Sequence, residues 1–197
     1  MKKIPCLFVR EFHDRGRFTL TRETTPGCGW ALTDAGLPTV KWDGTACMVR
    51  GGVLFKRYDA KRHPKTQEYK LPPTGAIPCS DPDPVTGHWP HWIEIGQGPE
   101  DRWFREAWEW TRPTADGTYE FCGPPINGNP QRLTRLWFYP HGREPVSIGE
   151  PVSFDSIRAT LELQEIEGIV FHHRSGDGRM CKIRRHDFGI PWPVAKP

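Results

Sequence analysis

Prolines and glycines interrupt this chain so often that a fold of short strands and loops is nearly forced on it. There are 21 and 20 of them among 197 residues. Each proline removes a backbone donor and each glycine loosens the chain, so many loops and few long helices are expected. The length favours one domain, residues 1–197, large enough to bury a core without staples. Nine Trp and ten Phe against three Met point to a core and grooves built from large flat rings.

Between the breakers, periodicity separates strands from helices. The apolar-rich runs 46–50 and 53–58 flank Gly51-Gly52, a two-residue hairpin loop that tolerates positive φ. Residues 101–111 read as a helix with Trp103, Phe104, Ala107 and Trp108 on one face. Residues 153–164 read as a second helix, with Ser153 as N-cap and Phe154, Ile157 and Leu161 facing inward. Strands are expected over 118–123 and 135–139, and a strand or two before Leu37. The Pro- and Trp-rich stretch 71–92 reads as an ordered loop, because Trp89 and Trp92 favour burial. Strands over 167–172 and 180–185 should close the chain as a hairpin centred on Gly176-Asp177. That register pairs Glu167 with His186, Ile169 with Arg184, and Phe171 with Lys182. Directly opposed residues share a face, so Glu167, Lys182 and Arg184 should project from one side.

Charge and cysteine usage narrow the partners. The net charge of +3 is a mild bias, far from that of a histone-like binder. Basic residues nonetheless cluster at Lys56, Arg57, Lys61, Arg62, Lys65 and Lys70, and again at Lys182, Arg184 and Arg185. The six cysteines form no CxxC pair, and Met1-Lys2-Lys3 leads into no apolar signal region. No run is long enough to span a bilayer, so a cytoplasmic protein with reduced thiols and no membrane partner is expected. Cys79, His88 and His91 match no tight zinc spacing and read as loop histidines beside a buried thiol.

Three short strands each set a charged residue between apolar neighbours. Glu120 lies in Tyr-Glu-Phe-Cys-Gly, Glu167 in Ile-Glu-Gly-Ile-Val-Phe, and Lys182 in Met-Cys-Lys-Ile-Arg-Arg. Such a charge costs free energy unless it is paired or used. Upstream, Lys41-Trp42-Asp43-Gly44 opens the first hairpin, and Arg57 lies near that hairpin's far end. Nucleotidyl transfer to a lysine needs these parts. The amine must lose its proton through desolvation or a neighbouring cation, since its ordinary pKa is about 10.4. The α-phosphate needs cationic donors, and a divalent metal needs carboxylates on rigid strands.

In this order the motifs resemble those of the covalent nucleotidyltransferase superfamily of ATP-dependent ligases and mRNA capping enzymes. The chain is most similar to the vertebrate-type 5′–3′ RNA ligase family and its bacterial and phage relatives. Lys41-Trp-Asp-Gly-Thr45, Arg57-Tyr-Asp-Ala-Lys61 with Pro64-Lys65, Asn127-Gly-Asn-Pro130, Glu167-Gly-Ile-Val170 and the run from Lys182 to Trp192 carry the likeness, which spans roughly residues 25–193.

The resemblance implies an α+β fold of the ATP-grasp-like nucleotidyltransferase type, with antiparallel sheets flanked by short helices. It implies an ATP-dependent RNA ligase that forms a lysyl-AMP on Lys41, assisted by Mg²⁺ or Mn²⁺. Asp43 belongs to the nucleotide site, Glu120 contacts ribose or metal, Glu167 binds metal, and Lys182 contacts the α-phosphate. Arg57 lies near the ribose or the RNA phosphate, with Lys61 and Lys65 as further RNA contacts. Arg184 stands where many relatives have a second lysine. An aromatic among Trp137, Phe138 and Tyr139 is expected to stack on adenine. The substrate would be RNA with 5′-phosphate and 3′-hydroxyl ends, the protein a monomer, with room for a separate end-healing enzyme. Only 15 residues follow Lys182, so no OB-fold domain is expected. A capping-type guanylyltransferase and a catalytically silent RNA-binding module are the alternatives.

Overall fold

The computed structural model describes residues 4–61, 63, 65, 66, 68, 70–83 and 86–194; Arg62, Pro64 and Pro84 lie outside them. In chain order the strands are β1 (Phe8–Phe12), β2 (Phe18–Thr24), β3 (Gly36–Lys41), β4 (Thr45–Arg50), β5 (Val53–Ala60), β6 (Ile77–Pro78) and β7 (Trp89–Glu94). Helix α1 (Arg102–Thr111), β8 (Gly117–Cys122), β9 (Trp137–Pro140), α2 (Phe154–Leu163), β10 (Gly168–His173) and β11 (Met180–Arg184) follow. This is the expected α+β balance of many short strands and few helices. Among the described residues no helix is long and apolar enough to cross a membrane. The chain divides into two compact units, one of Gly44–His141 and one of Ile4–Asp43 with the residues from Gly142 onward.

The first unit is an antiparallel sheet in the order β6-β7-β5-β4-β8-β9 with α1 against it. Its central hairpin is the expected one: Arg50 pairs with Val53 across Gly51 and Gly52, whose φ values of 58° and 75° suit the tight loop. On α1, Phe104 and Ala107 are buried, with Trp103 and Trp108 packed beside them. The Phe104 ring stacks on Phe121 at 4.5 Å, and Phe121 stacks on Phe138 at 4.8 Å. That column of rings ties helix to sheet, as the aromatic composition suggested.

The stretch 71–92 departs from its expectation as a loop, because its last residues are a full strand. Trp92 is buried, and β7 pairs with both β6 and β5. Pro90 is tolerated because it sits near the strand's start. His91, expected in a loop, is buried on this strand with Nδ1 3.0 Å from the Trp89 carbonyl.

In the second unit β10 is the middle of the sheet β11-β10-β3, and β1 pairs with β2 alongside. Ile169, Phe171, Cys181 and Ile183 pack inward against Ile157 and Leu161 of α2. Ser153 caps α2 as expected: the Ser156 N–H donates to Ser153 Oγ at 3.2 Å, and Ser156 Oγ accepts from the Ser153 N–H at 2.9 Å. At the other end, the buried Arg185 guanidinium donates to the carbonyls of Leu161 and Gln164, satisfying acceptors a helix terminus leaves open.

The closing hairpin forms, but its register differs from the expected one by one residue. Gly168 pairs with Arg184, Val170 with Lys182, and Phe171 with Cys181. The cause is the loop. His173 N–H donates to the Arg179 carbonyl, leaving five residues between them, and Gly176 and Gly178 adopt φ of 73° and 80°. An odd loop centred on Gly176 shifts every downstream partner by one position.

Candidate active site

Three strands of the second unit bring the expected charges together. Lys41 ends β3 and lies directly across from Gly168, which in turn lies across from Arg184. Lys182 is two residues before Arg184, so strand alternation gives Lys41, Lys182 and Arg184 a common face, opposite the core residues Ile169 and Ile183. Gly168 is required in that row, because a Cβ there would meet the Ile183 carbonyl oxygen at 2.3 Å.

Glu167 immediately precedes β10, and its backbone is pinned by the Arg185 N–H at 2.9 Å. Its carboxylate pairs with the Lys41 ammonium, both side chains being largely buried. Lys41 Nζ also lies 3.4 Å from the Trp42 carbonyl. Burial pushes the Glu167 carboxyl above its ordinary range even though the Lys41 charge opposes that shift. Lys182 moves the other way. Burial first, then the positive charges of Lys41, Arg184 and Arg10, push its ammonium down to about 8.

Asp187 and Arg10 complete this group, and sequence reasoning gave neither a role. The Asp187 carboxylate is buried. It accepts from Arg10 Nη2 at 2.7 Å, from Arg184 Nη2 at 3.1 Å, and from the Arg184 backbone N–H at 2.9 Å. One carboxylate thus fixes two guanidinium groups. The available signal was a lone acid inside the basic run Arg184-Arg185-His186-Asp187; the contribution of β1 was invisible without the fold.

Asp43 is held in the same unit by Trp192, whose indole N–H donates to Asp43 Oδ2 at 2.8 Å. A cleft of about 530 Å³ opens beside it, lined by Glu167, Arg184, His186, Gly189, Ile190, Pro191 and Trp192. Its polar side chains are the Glu167 carboxylate, the Arg184 guanidinium and the His186 imidazole, and Ile190, Pro191 and Trp192 supply apolar surface. Small-molecule sites are typically roughly 300–1,000 Å³ and mostly apolar with a few placed polar groups.

The other expected residues lie in the first unit. Glu120 is on β8, where Oε1 accepts from the Gly44 N–H at 3.1 Å and Oε2 lies 3.0 Å from His141 Nε2. His141 Nδ1 is in turn 2.9 Å from Thr118 Oγ1. Gly44 must be glycine here, since a Cβ would come within 2.3 Å of the Phe121 carbonyl oxygen. Strand pairing places Glu120 opposite Ala46 and Tyr139, and Arg57 two residues beyond Phe55, the partner of Met48. Glu120, Tyr139 and Arg57 therefore share the face turned away from α1. Phe138 is closed within the core and Trp137 packs on Trp110, leaving Tyr139 as the aromatic beside Glu120. Arg57 pairs with Asp59 at 2.8 Å, while Lys61 and Lys65 are exposed. Asn127 Nδ2 donates to the Gly44 carbonyl at 2.8 Å.

Among the described residues no three His, Cys, Asp or Glu side chains gather as a ready-made metal cage. Mg²⁺ does not require one, because it commonly takes one or two carboxylates and completes its shell with water and substrate phosphates. The Glu167 carboxylate fits that role.

The chain is related to proteins named as RNA ligases. It is 38% identical over 86 residues to RNA ligase 1 of Danio rerio, covering 40% of this chain and 26% of that protein. The Mus musculus protein of that name is 36% identical over 85 residues, covering 39% of this chain and 25% of that one. RNA ligase 1 of Pongo abelii is 22% identical across an alignment covering 98% of this chain and 82% of the relative. The stronger matches thus span only about a quarter of the relatives' length. No family model matches the chain.

Proposed function

We propose that this chain is an ATP-dependent RNA ligase that works through a covalent adenylate on Lys41. One observation carries the reading: Lys41 from β3, Lys182 and Arg184 from β11, and Glu167 just before β10 converge beside a cleft of nucleotide size. The kinship with proteins named as RNA ligases supports the choice of nucleic acid.

Glu167 holds Lys41 in the free protein, and its raised pKa makes it a better base than an ordinary carboxylate. It takes the ammonium proton as Nζ forms a bond to the α-phosphorus of ATP and pyrophosphate leaves. Lys182 and Arg184 offset the charge that develops on the phosphoryl oxygens. The AMP next passes to an RNA 5′-phosphate, breaking the P–N bond and returning the amine. An RNA 3′-hydroxyl then attacks that 5′-phosphate, forms the phosphodiester and releases AMP. Mg²⁺ or Mn²⁺ would be held by the Glu167 carboxylate once it has passed its proton to solvent, and would supply further neutralisation of phosphate charge.

Incubation with ATP, Mg²⁺ and 5′-phosphorylated RNA should yield joined strands. GTP should not replace ATP, and 5′-phosphorylated DNA should be joined poorly. A product formed with GTP alone, carrying a 5′–5′ guanylate, would instead make the chain a capping-type enzyme. RNA binding without joining would make it a silent binding module.

A further inference from the structure

Two tryptophans of the first unit are exposed together. Trp110 near the end of α1 is 46% exposed, and Trp137 at the start of the edge strand β9 is 38% exposed. Their rings meet at 5.7 Å and 61°, so they hold each other in place while each keeps accessible surface. Large exposed rings are costly to leave in water, and an adjacent pair is unusual on a surface without a partner.

The charges around the pair indicate the partner's chemistry. The Arg135 guanidinium stands over the Trp110 ring at 5.9 Å, and Arg112 follows directly after α1. Arg132 and Arg135 are exposed on the segment leading into β9. Of the acids on α1, Glu109 pairs with Arg112 at 3.7 Å, and the exposed Glu106 lies one turn before Trp110. Aromatic faces set among guanidinium groups suit unpaired bases joined by phosphates, because each base can stack and each phosphate can accept from an arginine.

We propose that Trp110, Trp137 and Arg135 form a stacking platform for single-stranded RNA, a binding site in the unit that does not carry Lys41. The choice of RNA over another polyanion rests on the function proposed above. The platform is sequence-tolerant, because every base offers a flat face. It holds a strand through its unpaired bases while the chemistry belongs to Lys41.

The test compares binding of a fluorescent 20-mer of uridylate with that of an abasic strand of equal length and charge. The wild-type protein should prefer the uridylate strand. The double variant W110A/W137A should bind it roughly tenfold or more weakly and lose the preference over the abasic strand. R135A should lower the salt dependence by about 0.7 in the log–log slope. The variant W110F/W137F, which keeps flat rings, should retain most of the affinity and controls for folding. Labelling of Lys41 by ATP should be unaffected in all variants, so loss of RNA binding with intact labelling supports the platform. Unchanged uridylate affinity in W110A/W137A overturns it, whether or not labelling occurs. So does self-association of the wild type that the double variant abolishes without any change in RNA affinity.

Discussion

The Lys41 ammonium donates to the Glu167 carboxylate, the last residue of one strand meeting the residue just before its neighbour. The pair is largely buried, so each charge relies on the other. Glu167→Gln keeps the volume and removes the base. Leaving the Lys41 ammonium without its anion should lower the melting temperature, while adenylate formation slows by roughly 10²-fold or more. Stopped-time labelling with excess ATP measures the rate.

Lys182 gives a pH signature. Its folded-state pKa is lowered to about 8 from an ordinary 10.5, so its positive charge is fully present only below about pH 8. Phosphate binding should weaken as pH rises through about 8, seen as a rising KM for ATP. The linkage to folding has the opposite sense. The folded state holds fewer protons than the unfolded state between about 8 and 10.5, so this group adds stability as pH climbs through that window. Lys182→Arg should hold its charge throughout and flatten the KM profile.

Asp187 organises Arg10 and Arg184 from a buried position. Removing its charge leaves two partly buried guanidinium groups short of a partner. Asp187→Asn should cost about 3–5 kcal/mol, the range for breaking a buried pair, read from urea unfolding. A milder change, Arg10→Lys, should spare most of the stability yet lower the affinity for ATP.

Gly168→Ala tests the close approach of β10 to β11. The added methyl would fall 2.3 Å from the Ile183 carbonyl oxygen, so the strands must part. The expected cost is about 1–3 kcal/mol, seen as a lower melting temperature, with adenylation reduced because Lys41 and Arg184 flank that glycine.

Much of this arrangement was legible in the sequence wherever local chemistry decides. Gly51-Gly52 dictated the first hairpin, and Ser153 with Ser156 dictated the start of α2. The apolar spacing of Phe104 and Ala107 gave the buried face of α1. What escaped depends on distant partners. A five-residue loop and a four-residue loop leave similar sequence traces, so the register of β10 with β11 was off by one. Residues 89–92 looked like loop because Pro90 and the histidines mask a strand stabilised by neighbours on both sides. Asp187, Arg10 and His141 act through residues far along the chain, and no local pattern announces such pairs. Trp192 was in view as part of the final motif, yet its grip on Asp43 spans 149 residues.

The proposed chemistry turns on a bond between Lys41 Nζ and the α-phosphorus of ATP. Incubation with ATP labelled at the α-phosphate, followed by denaturing electrophoresis, tests it directly. One covalent label per wild-type chain is expected, lost in mild acid as a phosphoramide is, and none on Lys41→Ala. A label that persists on Lys41→Ala, or its absence from the folded wild-type protein with ATP and Mg²⁺ present, would contradict it.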